Sequence, residues 1–220
     1  MRPLFTMRAA LDDPMLLGDA MKGDSWDAWR TLLIASVGEE LTPAERVVFK
    51  TFTGRDAEAG KMLDTWLTVA GRRSGKTTAI AALTVYLSCL CDWSDTLNLG
   101  ERGVALYLAP TVDQASRAFG YARGFIEHSS LMSALVVSRT QTSIELSNGI
   151  DIEIAAANWR FVRGATCVCC VLDESAFLRN EAESANRDED LVHRIEAVVD
   201  HDRRSDDPDL VAGNRSWCCL

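Results

Sequence analysis

A chain of 220 residues, 47% apolar and 25% charged, can bury one substantial core and has the composition of an ordinary globular protein. It has no apolar run of the roughly 20 residues needed to cross a bilayer. Asp12 and Asp13 come too early for a secretory signal, so a cytoplasmic protein is expected. The net charge of −9 does not advertise a broadly basic DNA-gripping surface, and residues 181–209 hold eleven acids against four Lys/Arg. Any contact with nucleic acid is expected to be local, transient or dependent on other chains.

In chain order, "SWDAWRTLLIASVG" places Trp26, Trp29, Leu33 and Val37 at helical spacing. An amphipathic helix ending near Gly38 is expected, with the aromatic residues on its core or docking face. "LTPAERVVFKTFTG" follows, with Thr42 as N-cap, Pro43 at the first helical position, Glu45 closing a capping box and Gly54 as the stop. "LDTWLTVA" (63–70) reads as a strand, and "GKTTAIAALTVYLSCL" as a tightly packing helix. "GVALYLAP" (103–110) is an apolar run that fits a strand buried on both faces of a parallel sheet. A helix capped by Thr111 comes next.

Asn148-Gly149 lies between two alternating runs, a strong local hairpin signal, with Ile150, Ile152 and Ile154 on one face and Asp151 and Glu153 on the other. "CVCCVLDESAF" (167–177) is a further buried strand ending in acids. A helix is expected around "EDLVHRIEAVV", whereas "NRSWCCL" shows no structural logic. The seven cysteines, an odd number, lack the paired C-x-x-C motifs of a zinc site and read as buried thiols. Strand–helix alternation predicts an α/β three-layer fold with a mostly parallel sheet and an antiparallel hairpin extension. The expected division is a helical segment at 1–40, a core at 41–180 and an acidic segment at 181–220.

Two motifs carry chemistry. A phosphate cradle needs backbone N–H groups at the start of a helix, a lysine for the phosphates and a hydroxyl for Mg²⁺. "AGRRSGKTT" supplies Ala70, Gly71, Arg72, Arg73, Ser74, Gly75, Lys76, Thr77 and Thr78 between a predicted strand and a predicted helix. Ala70 stands where the usual pattern has glycine. Arg72 and Arg73 are either solvated or placed to stabilise transition-state charge, with Arg73 preferred. The second motif is Asp173-Glu174 at the end of a buried strand, where α/β sheets bind ligands. There Asp173 can hold the Mg²⁺ shell and Glu174 can polarise an attacking water; the competing role is capping a following helix. Arg163-Gly164 either faces the nucleotide or a neighbouring subunit, or is a plain turn. Gln114 reads as an exposed helix residue, with support of the site or contact with nucleic acid as the alternative.

The series "LTPAERVVFKTFTGR", "VAGRRSGKTTAIAALTVYL", "ERGVALYLAPTVDQASRAF", "IELSNGIDIEI", "FVRGATCVCCVLDESAF" and "ESANRDEDLV" resembles the ATPase domain of phage terminase large subunits over residues 41–192. The resemblance implies a RecA-like fold with Walker A and Walker B motifs, ATP and Mg²⁺ as ligands, and packaging of double-stranded DNA into a procapsid. It also implies portal protein, small terminase subunit and sibling subunits as partners, in the host cytoplasm, and places Thr42–Arg46 on the adenine side. Neither the coupling strand nor the nuclease domain of that family is recognisable after Glu174, so an incomplete C-terminal sheet and no nuclease are expected. The competing expectations are a remnant that binds nucleotide without useful turnover, and a helicase-like translocase.

Overall fold

The computed structural model describes residues 1–156 and 166–173, and the backbone of 217–219. The chain opens with a cap of short elements. Strand β1 (Arg2–Pro3) leads into helix α1 (Met7–Asp12), two 3-10 turns (Gly18–Met21 and Asp24–Trp26) and helix α2 (Asp27–Ser36). Thr6 caps α1 by accepting from the Ala9 N–H. The Glu39 carboxylate accepts from the Met7 and Arg8 N–H groups at the same helix end, where a negative charge also meets the positive end of the helix dipole. Arg8 then forks onto both oxygens of Glu45, at 2.5 and 2.8 Å. Glu45 lies in the first turn of α3 (Pro43–Thr53), so one bidentate pair ties the first helix to the third. The expected capping box of Thr42 and Glu45 is present, and Gly54 ends α3 in the left-handed conformation.

After β2 (Thr65–Trp66) comes helix α4 (Lys76–Cys89), in which every residue from Ala81 to Cys89 is buried. A helix apolar all round belongs inside a core, and Ala79, Ala81 and Ala82 allow its neighbours close approach. The short β3 (Cys91–Asp92) pairs back with β1. Next are β4 (Gly103–Ala109), α5 (Val112–His128), the single turn α6 (Ser130–Ser133), β5 (Val136–Arg139), β6 (Ser143–Leu146), β7 (Ile150–Ala156) and β8 (Thr166–Leu172). Last is β9 (Trp217–Cys219).

The main sheet has the order β2-β9-β8-β4-β7-β6-β5. Its first five strands run parallel, and β6 and β5 are added antiparallel. This is the expected mixed α/β fold with its hairpin extension. The β6–β7 turn contains Gly149 at φ 85°, a conformation in which glycine meets no steric penalty. Ile150, Ile152 and Ile154 are buried together with Ala105 and Tyr107 of β4 in one apolar cluster that extends into the N-terminal cap. Helices α4 and α5 pack on each other and both lie against β4 and β7. Leu106 and Leu108 alternate to the opposite face and are buried as well. The segment from 174 to 216 lies outside the described residues. The helix expected around "EDLVHRIEAVV" is also outside them.

Three findings differ from the sequence reading. The strand expected over 63–70 is limited to Thr65–Trp66, and Leu67 and Val69 are exposed. A strand persists only where a neighbour supplies its ladder, and β9 offers just Cys218 and Cys219 opposite β2. Residues 217–219 of the unpatterned C-terminal stretch form an inner strand between β2 and β8. Strand β5, at the sheet edge, was not anticipated. Cys89, Cys91, Cys167, Cys169 and Cys170 are buried free thiols. Burial pushes those of Cys89 and Cys91 up to about 12. Among the described residues, no helix is long and apolar enough to cross a membrane.

Candidate functional site

Parallel strands present their carboxyl ends at one edge of the sheet, and the segment after β2 meets the residue after β8 there. The loop after β2 runs through Ala70 to the start of α4. Gly71, Arg72, Arg73 and Ser74 are exposed, whereas Gly75, Lys76, Thr77 and Thr78 are half-buried. The chain turns at Arg72-Arg73. Arg73 has φ 62°, the only non-glycine with positive φ among the described residues. Left-handed backbone at a residue with a Cβ is uncommon outside functional turns.

Gly75 is the N-cap of α4, at φ 86°. A Cβ there would lie 2.8 Å from two ring carbons of Trp26. Both backbone and space therefore demand glycine. It offers no side chain to cap α4, and the first turn of α4 carries no acid. The N–H groups that helix geometry leaves over at this end thus keep a positive field at the loop.

Asp173 follows β8 directly, and its N–H donates to the Leu108 carbonyl at 2.8 Å, which extends the β4–β8 ladder by one bond. Its Oδ1 lies 3.3 Å from the Lys76 Nζ. Its Oδ2 accepts from the Tyr107 hydroxyl at 2.7 Å. The two sequence motifs thus meet in space. Tyr107 is 4% exposed, in the middle of β4. A buried phenol needs a partner for its hydroxyl, and the carboxylate supplies one. Sequence reasoning missed Tyr107, whose only signal is a polar tip within an apolar strand.

The aromatic residues of the N-terminal cap also reach the loop. The indole Nε1 of Trp29 donates to the Ser74 carbonyl at 2.7 Å. The Trp29 ring meets that of Trp66 edge-on, with centroids 6.4 Å apart. Helical spacing alone marked Trp26 and Trp29 as apolar and gave no hint of the polar contact.

Glu174, Arg163 and Gly164 lie outside the described residues. Gln114 lies in the first turn of α5. It is the third residue of α5 and closes a capping box with Thr111, accepting from the Thr111 N–H at 3.2 Å. Thr111-x-x-Gln114 is the same signature that Thr42-x-x-Glu45 displays.

No family model matches the chain, and no curated protein matches it. Among solved structures it is similar to the crystal structure of the HK97 bacteriophage large terminase. The TM-score is 0.49 and the identity 13%, covering 85% of this chain and 36% of that one. It is also similar to the Thermus phage P74-26 large terminase ATPase domain, with TM-score 0.43 and 19% identity, covering 70% of this chain and 57% of that chain. The chain spans roughly a third of the first and somewhat over half of the second.

Proposed function

We propose that this chain is an ATP-hydrolysing motor domain of the terminase large-subunit type, which uses hydrolysis to drive double-stranded DNA into a procapsid. The observation that carries the reading is the 3.3 Å approach of Lys76, at the start of α4, to Asp173, at the end of β8. The sequence motifs and their resemblance to the family supply the DNA, the portal, the small subunit and the sibling subunits.

The residues present suit a triphosphate and a hard divalent cation. Gly71 to Gly75 lead into the start of α4, whose N–H groups favour an anion. Lys76 is the cation for the phosphates. The Thr77 hydroxyl and the Asp173 carboxylate are the oxygen donors that Mg²⁺ takes. A bound Mg²⁺ supplies charge that offsets the phosphate oxygens. Lys76 and Asp173 lie 3.3 Å apart, so one ligand in the loop would reach both. Tyr107 donates to the Asp173 Oδ2, and the Oδ1 faces Lys76. Glu174, the next residue in the chain, is the general base that takes a proton from the attacking water, and Arg73 or Arg72 stabilises charge at the transferred phosphoryl.

Steady-state Mg–ATP hydrolysis by the full chain, compared with Glu174→Gln and measured with double- or single-stranded DNA, tests the reading. Turnover that falls by about 10²-fold or more in the variant, and that double-stranded DNA stimulates, is expected. Equal turnover in both proteins overturns the role of Glu174. Stimulation by single-stranded DNA alone would favour a helicase-like translocase. One observation favours a chain that binds nucleotide without turning it over: among the described residues, two pairs hold β2 to the sheet. Binding with no turnover in either protein would establish that second reading.

A further inference from the structure

We infer that Trp29 is a positioning residue for the phosphate loop: its indole N–H fixes the Ser74–Gly75 peptide so that the Gly75 N–H points away from α2 and is presented as a phosphate donor. The inference rests on the nucleotide-binding reading above and adds a residue that neither loop motif contains.

The geometry is that of a single peptide plane. Among the described residues there is no cis peptide, and in a trans peptide the carbonyl and the following N–H point in opposite directions. The Ser74 carbonyl faces Trp29, with 2.7 Å between the Nε1 and the oxygen. The Gly75 N–H therefore faces the other way. Gly75, at φ 86° and without a Cβ, is the residue most free to let this plane rotate. Two indoles oppose the rotation. Trp29 holds the carbonyl, and Trp26 packs over Gly75, leaving no room for even a methyl group.

The donor sits on a rigid mount. Trp29 is 8% exposed, and the following turn of α2 buries Leu33, Ile34 and Ala35 in the core. Trp66, at the end of β2, supports its ring from the side. The loop itself offers little of this rigidity: residues 71–74 are exposed, and its one internal backbone bond, from the Ser74 N–H to the Gly71 carbonyl, is long at 3.4 Å. An ordered donor on the core is thus what sets the peptide of a loosely held turn.

The test compares Trp29→Phe with Trp93→Phe in the full chain. Trp93 makes the same kind of bond, from Nε1 to the Leu87 carbonyl at 2.8 Å, but near the opposite end of α4. Calorimetric dissociation constants for ADP and for pyrophosphate, which has no base or ribose, are measured beside melting temperatures. Trp29→Phe is expected to weaken both ligands by the same factor, about five- to tenfold, the size of one neutral hydrogen bond. Trp93→Phe is expected to lower the melting temperature comparably and leave both constants unchanged. Unchanged constants in Trp29→Phe, or equal losses in the two variants, overturn the inference. If Trp29→Phe does not fold, ¹⁵N-indole spectra of the wild-type chain decide. The Trp29 N–H resonance should move on titration with pyrophosphate while that of Trp93 stays, and a still Trp29 resonance overturns the inference. Wild-type protein that binds neither ligand removes the nucleotide reading and this inference together, whereas wild-type binding with an indifferent Trp29→Phe removes only the latter.

Discussion

The two ends of the main sheet are held in opposite ways. On the hairpin side, β4 and β7 pair continuously from Gly103–Ile150 to Ala109–Ala156, and β6 closes on β7 through a turn that its own residues dictate. On the other side, β2 contributes two residues, and the loop it feeds is positioned by indoles from α2. One region is built by its ladder and the other by side chains from a distant part of the chain. The contrast teaches where tolerance lies. The hairpin side should absorb a local insult without loss of chemistry, while the loop should transmit it directly.

Matched glycine substitutions probe this most strongly. Gly75→Ala meets both a left-handed backbone and the Trp26 ring, so a loss of about 2–4 kcal/mol and of nucleotide binding is expected. Gly149→Ala has a similar φ of 85° but open space around it. About 1 kcal/mol is expected there, read as a shift of roughly 2–4 °C in the melting temperature, with ADP affinity unchanged. Equal effects on affinity would erase the distinction between the two sides.

Tyr107→Phe is a smaller and sharper change, because the ring stays and only the hydroxyl on Asp173 goes. A hydrogen bond to a charged group is worth about 1.5–3 kcal/mol, so the variant should melt lower. If the hydroxyl also orients the carboxylate, the Mg²⁺ concentration for half-maximal hydrolysis should change severalfold. A melting shift with an unaltered Mg²⁺ profile would reduce Tyr107 to a packing role.

The smallest effect expected concerns acid. Hydrogen bonding from Arg8 holds the Glu45 carboxyl at about 2, and Arg46 holds that of Glu58 at about 2, both below the ordinary 4.5. A carboxyl whose folded-state value is depressed stabilises the fold above its unfolded value and loses that stabilisation as pH falls through the folded one. The melting temperature should therefore hold down to about pH 4.5 and decline toward pH 2. Glu45→Gln should flatten part of that decline. The two carboxylates lie in the cap that carries α2, so a decline unaffected by Glu45→Gln would detach the cap from this account.

The sequence was most informative where structure is local. The Thr42–Glu45 box, the Asn148-Gly149 turn, the all-buried α4 and the apolar β4 and β8 each declare themselves within a dozen residues. The 63–70 strand was overread because Leu63, Trp66, Leu67 and Val69 look like strand residues, while the length of a strand is set by a partner that the window does not contain. The pairings Lys76–Asp173, Tyr107–Asp173 and Trp29–Ser74 join residues far apart in the chain. Only the first could be anticipated, because each half is a motif in itself.

The most direct single test is phosphate release from Mg–ATP by the full chain beside Lys76→Ala, with ADP affinity measured on both proteins. The wild-type chain is expected to bind ADP and release phosphate, and the variant to lose both by about 10²-fold or more while remaining folded. A folded Lys76→Ala protein that binds and hydrolyses like wild type would contradict the assignment of this loop as the nucleotide site.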